Sequence, residues 1–149
     1  MTIQLRSAAL LALLLLLGAC TLLEKTRMGK AAPIPTRLLN VKTECSFHDE
    51  AGIDGALTLD VAKSKVNDFK ARVNIPNHGT CRFAFSDFRQ TKEAPNVELS
   101  QINGRCIVRM WEQNEHVTVA FDQCEQMCSG GAFDWLLPII HDRQDGSCA

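Results

Sequence analysis

Residues 44–149 predict a small antiparallel all-β domain held by disulfides, either an up-and-down barrel or a β-sandwich. Three observations carry this reading. Apolar and polar residues alternate in several short segments, turn-forming residues separate those segments, and six cysteines fall inside the domain. Alternation with a period of two turns one face of a strand to the core and the other to water. Six or more consecutive strands in one small domain leave exposed edges unless the sheet closes or nearly closes on itself.

The strands follow in order. Leu57, Leu59 and Val61 alternate with Thr58 and Asp60, and Phe69, Ala71, Val73 and Ile75 alternate with Lys70, Arg72 and Asn74. The turn Pro76-Asn77-His78-Gly79 leads to Cys81, Phe83 and Phe85, pairing Val73 with Phe83 and Ala71 with Phe85. A second group covers Val97 to Ile102, Arg105 to Trp111 and His116 to Phe121. Asn103-Gly104 is a two-residue type I′ hairpin signal. It sets Leu99 opposite Val108 and Val97 opposite Met110 on one face, with Glu98 opposite Arg109 on the other. A turn near Gln113-Asn114 then pairs Met110 with Val117, Val108 with Val119, Cys106 with Phe121, and Trp111 with His116. Slipping either hairpin by one residue would invert its faces. Helix is confined to a turn within Ala132 to Ile140, ahead of Pro138.

The chain has seven cysteines. Cys45, Cys81, Cys106, Cys124, Cys128 and Cys148 form an even set in a small domain, the pattern of three disulfides in an oxidising compartment. The spacing Cys124-x-x-x-Cys128 is not the usual metal-ligand CxxC, so no metal site is expected. Six cysteines permit 15 pairings. The strand layout suggests Cys45–Cys124 tying the ends, Cys81–Cys106 meeting across the core, and Cys128–Cys148 clasping the C-terminal loop.

The seventh cysteine lies in the N-terminal region. Arg6 precedes an apolar run, Ala8 to Leu17, that suits a signal-peptide core and falls short of the about 20 residues a bilayer span needs. The run ends in Leu17-Gly18-Ala19-Cys20, which resembles the bacterial lipobox. That resemblance implies a signal peptide over residues 1–19 and a Cys20 carrying diacylglycerol and an acyl chain such as palmitate, because more than one chain is needed for stable anchoring. Thr21 in place of Asp implies the outer rather than the inner membrane. Residues 20–43 read as a lipidated tether, with Pro33-Ile34-Pro35 and no sustained periodicity.

Charge divides along the same boundary. The segment 21–43 holds five Lys or Arg against Glu24, a net +4, while residues 44–149 hold ten against sixteen Asp and Glu, a net −6. The acidic domain excludes nucleic acid as a natural partner, since phosphates require positive charge. It suits a basic protein. There is no Gly-rich phosphate loop, no GxSxG and no HExxH, so neither an enzyme nor a cofactor is expected. His48, His78, His116 and His141 are scattered, and Asp134, Asp142 and Asp145 near His141 and Cys148 read as a solvated acidic loop.

The most distinctive segment runs from Cys124 to Ile140. Gly130-Gly131 permits unusual backbone angles, and Phe133, Trp135, Leu136 and Leu137 form an apolar cluster outside the strand ladder. It reads either as a plug closing one barrel end or as a partner loop built on Ser129, Gly130, Gly131, Phe133 and Trp135. The lipobox, the domain size, the disulfides and the exported location together resemble small β-rich lipoproteins of Gram-negative bacteria. Within that group they resemble the barrel-type inhibitors of C-type lysozyme, whose Ser/Gly-containing loop enters the lysozyme cleft. Ser129-Gly130-Gly131 is the loosely matching stretch, although the chain lacks the Tyr of that family's signature. The expectation is a non-catalytic, membrane-anchored lipoprotein with an envelope binding or structural role. Inhibition of C-type lysozyme and binding of a small ligand inside a barrel are the alternatives.

Overall fold

The computed structural model describes residues 37–149. The expected signal peptide, the lipidation site Cys20 and most of the tether lie outside the described residues.

Among the described residues, nine strands form two antiparallel sheets, each in simple sequential order. The first sheet holds β1 (Val41–His48), β2 (Asp54–Ala62), β3 (Lys65–Ile75) and β4 (Gly79–Ala84). The second holds β5 (Phe88–Lys92), β6 (Val97–Gln101), β7 (Ile107–Gln113), β8 (His116–Asp122) and β9 (Ile139–Asp142). The fold is therefore all-β and up-and-down. The sheets are not closed by strand pairing, and a nearly closed barrel and a two-sheet sandwich describe it equally.

The alternation seen in the sequence becomes the core. Leu57, Leu59 and Val61 of β2, Phe69, Ala71 and Val73 of β3, and Leu99, Val108, Met110 and Val119 of the second sheet are all buried. Phe69 packs between Phe83 and Phe88, at ring distances of 6.5 and 6.3 Å. A register shift between Asp60 and Val61 changes the parity of β3, so Val66 and Phe69 both face inward.

The domain begins earlier than residue 44. Leu39 and Val41 are buried, the Leu39 N–H donates to Ser64 Oγ (2.9 Å), and Arg37 pairs with Glu112 (3.4 Å). β1 thus incorporates residues whose mixed polarity reads as tether. Two further strands, β5 and β9, carry no apolar alternation in their sequences.

The turns show what a parity test can and cannot fix. The β6–β7 pairing is as expected, with Val97 opposite Met110 and Leu99 opposite Val108. Its loop is nevertheless longer than a two-residue hairpin. The Gln101 N–H donates to Cys106 O (2.9 Å), and neither Asn103 nor Gly104 has positive φ, so no type I′ turn forms. The β7–β8 register is two residues away from expectation. Met110 faces Val119, Val108 faces Phe121 and Trp111 faces Thr118, while His116 faces Gln113. Asn114 (φ 55°) and Glu115 form the turn. The β3–β4 hairpin is shifted in the same way, with Ala71 opposite Phe83 and Val73 opposite Cys81. A shift of two keeps every side chain on its face, so alternation alone does not distinguish the registers.

All three disulfide pairings differ from expectation. The bonds are Cys45–Cys148, Cys81–Cys128 and Cys106–Cys124. Cys81 lies on β4 of the first sheet and Cys106 just ahead of β7, and each meets a cysteine of the segment after β8 instead of the other. The β7–β8 register carries Cys106 to the residues just beyond β8, where Cys124 waits. Cys128 then forms a single bridge with Cys81 on β4. The C-terminal residues fold back along β9, with the Ile140 N–H donating to Ala149 O (2.8 Å), which brings Cys148 to Cys45 of β1. Two of the three bonds therefore join the first sheet to segments that follow β8.

Candidate functional site

The segment after β8 is fixed at closely spaced points. Cys124 is bonded to Cys106 and Cys128 to Cys81, with a 3-10 turn, Glu125–Met127, between them. The Ser129 N–H donates to Thr80 O (3.0 Å), and the Thr80 N–H donates to Ser129 Oγ (3.1 Å). Gly130 and Gly131 follow with φ of 62° and 79°, and a side chain at Gly130 would press on the His78 carbonyl. Ser129 and Gly130 therefore lie against the β3–β4 turn rather than projecting from it, and Gly131 faces open space.

The chain next forms a second 3-10 turn, Ala132–Trp135. Ala132 is fully buried and Phe133 half-buried, which anchors the turn to the core. Trp135 emerges 56% exposed, with its ring stacked on His78 at 4.4 Å. Leu137 is 73% exposed and Ile140 is 42% exposed. The apolar cluster is thus neither a buried plug nor a free loop. Phe133 and Leu136 pack against the core, while Trp135 and Leu137 stand at the surface.

These residues wall a groove of about 340 Å³. Phe47, Ile53 and Val73 of the first sheet and its β1–β2 turn form one side, and Trp135, Leu137 and Ile140 form the other. His48 and Asp49 add polar groups, and no Lys or Arg lines it. An exposed apolar concavity of this kind costs hydration free energy in an isolated domain and makes the groove the candidate binding surface.

The remaining candidates do not converge. His48 and His78 line or flank the groove, whereas His116 lies 3.7 Å from Asp142 on the far end of β8. His141 is buried, its Nδ1 3.2 Å from Ser147 O and 3.9 Å from Cys148 Sγ. Cys45, His141 and Cys148 are the one set of metal-ligating types gathered together among the described residues, and both sulfurs are committed to a disulfide. Asp145 accepts the Ser147 N–H (2.8 Å), and hydrogen bonding from Ser147 holds its carboxyl below the usual range. Asp142 accepts the Gln144 N–H (2.7 Å). These two carboxylates organise their own loop.

Sequence reasoning found Trp135 and Leu137 but not the opposite wall. Phe47 and Ile53 belong to a strand and a turn that carried no recognised period, and only the fold-back of the C-terminus brings them to face Trp135. No helix among the described residues is long and apolar enough to cross a membrane. Compared with protein-family models, with curated proteins and with solved structures, the chain matches none of them.

Proposed function

We propose that this protein is an exported lipoprotein, anchored through Cys20, whose β domain is a non-catalytic binding module that takes its partner in the groove beside Trp135. The observation that carries the binding reading is the exposure of Trp135, Leu137 and Ile140 around one apolar groove on a disulfide-braced scaffold. Aromatic residues on rigid supports contribute disproportionately to binding, because little rotamer entropy is lost when they are covered. The anchor reading is supported by cysteine counting. Six of the seven cysteines pair with one another, and Cys20 of the lipobox-like stretch is the one left over. The net −6 of residues 44–149 and the absence of cations in the groove favour a partner that presents apolar groups beside positive charge.

Photocrosslinking in cells tests the site. A benzophenone amino acid placed at Trp135 is expected to give a discrete adduct, and the Leu137→Ser change is expected to remove it. The same probe at exposed Arg105, which does not line the groove, serves as control. Equal patterns from both positions, or no adduct from Trp135, would contradict the proposal.

A further inference from the structure

A second site lies on the outer face of the first sheet. Strand register places Ser46, Ala56, Arg72 and Arg82 in one row across the four strands, with Arg72 directly opposite Arg82. The adjoining row is Glu44, Thr58, Lys70 and Ala84. Like charges directly opposite one another destabilise a ladder. Neither Arg72 nor Arg82 makes an ion pair among the described residues, although Asp87 shares their recess, and the nearby Lys70 is paired with Asp68 at 3.2 Å. On the other flank Asp54 accepts from Asn74 (3.1 Å), which in turn accepts from Thr80 (3.0 Å), so that carboxylate is engaged elsewhere.

The floor between the cations is small. Ala56, Thr58 and Ala84 leave a recess of about 320 Å³, with Lys70, Arg72 and Arg82 around it and Asp87 also on its lining. The recess gathers three cations against the one carboxylate of Asp87, a local excess of positive charge over a floor of short side chains in a domain that is otherwise acidic. Guanidinium groups bind tetrahedral oxyanions bidentately, and two facing forks supply more donors than one carboxylate can use.

We infer that Arg72 and Arg82, with Lys70, form a binding site for a phosphate group. It is separate from the Trp135 groove and does not depend on the reading of that groove. The phosphate could come from an anionic lipid headgroup or from a free phosphate ion, and the recognition chemistry is the same.

Arginine footprinting of the intact protein in neutral detergent tests this. Phenylglyoxal modification of each Arg is followed by mass spectrometry, with exposed Arg89 and Arg105 as internal controls. Inorganic phosphate, against chloride at equal ionic strength, is expected to slow modification of Arg72 and Arg82 by about fivefold or more, roughly 1 kcal/mol in total, and to leave the controls unchanged. In a second arm without phosphate buffer, the protein is placed in phosphatidylglycerol or phosphatidylcholine vesicles. Protection only in phosphatidylglycerol identifies a lipid headgroup as the source, and protection by inorganic phosphate alone identifies the free ion. The Arg72→Thr variant is expected to melt no lower than wild type, because the repulsion is relieved, and to lose protection at Arg82. Arg72 and Arg82 behaving like Arg89 and Arg105 in every arm would overturn the inference. So would Arg82 remaining protected in the Arg72→Thr variant.

Discussion

Single side chains divide into those that hold the fold and those that the proposed function assigns to a partner. Phe69 is fully buried between Phe83 and Phe88, and Phe69→Ala is expected to cost about 3–5 kcal/mol in denaturant unfolding. Trp135 is more than half exposed, and Trp135→Ala is expected to change stability by no more than about 1 kcal/mol while removing the adduct formed by a benzophenone amino acid placed instead at Leu137. Glu98 is the buried charge of the second sheet. Hydrogen bonding from Lys92 (3.0 Å) holds its carboxyl below the usual range, with help from Thr91 and Arg109 and against its desolvation. A depressed carboxylate contributes stability that is full above its unfolded value and is lost as pH falls through the folded one. The melting temperature is therefore expected to fall as pH drops below the ordinary glutamate range, and Glu98→Gln should flatten that part of the profile. An unchanged acid limb in the variant would show that Glu98 does not contribute.

The elements show which sequence signals were sufficient. Alternation identified the buried faces of β2, β3, β6, β7 and β8, because each of those strands is long enough to repeat its period. It left register open wherever the turn was ambiguous, and two hairpins differ from expectation by two residues for that reason. The turn residues themselves misled in one place and were silent in another. Asn103-Gly104 forms no two-residue turn, whereas Lys63-Ser64 forms one with both φ values positive. The second turn is held by tertiary contacts invisible in a local reading. Buried Ser64 bonds to Leu39, and its carbonyl accepts from Gln90. The C-terminal loop gives an element-scale prediction. Both Gly130 and Gly131 lie in the left-handed region, but only Gly130 touches backbone. Gly131→Ala is expected to cost about 1 kcal/mol and Gly130→Ala clearly more. Equal costs would mean that Gly130 does not rest on His78.

For the whole molecule, the disulfides decide how the two sheets are held together and how the groove arises. Their number was legible from composition, but their connectivity depends on register and on the return of the C-terminus, which no local pattern encodes. The same fold-back explains why only one wall of the groove could be read from the sequence. Loop-closure entropy ranks the bonds. Closing 18, 47 and 103 residues predicts losses of about 3, 4 and 4.7 kcal/mol when Cys106–Cys124, Cys81–Cys128 and Cys45–Cys148 are replaced pairwise by Ala. Loss of Cys45–Cys148 should also loosen the groove, because Cys148 lines it and the bond ties β1 to the C-terminal segment.

The most direct measurement of the central claim, a tethered and disulfide-braced binding module, is non-reducing peptide mass spectrometry of the protein recovered from membranes. The account predicts an N-terminus at Cys20 carrying diacylglycerol and an acyl chain, with the other six cysteines joined as Cys45–Cys148, Cys81–Cys128 and Cys106–Cys124. An unmodified Cys20, or Cys20 found in a disulfide with any of those six, would contradict it.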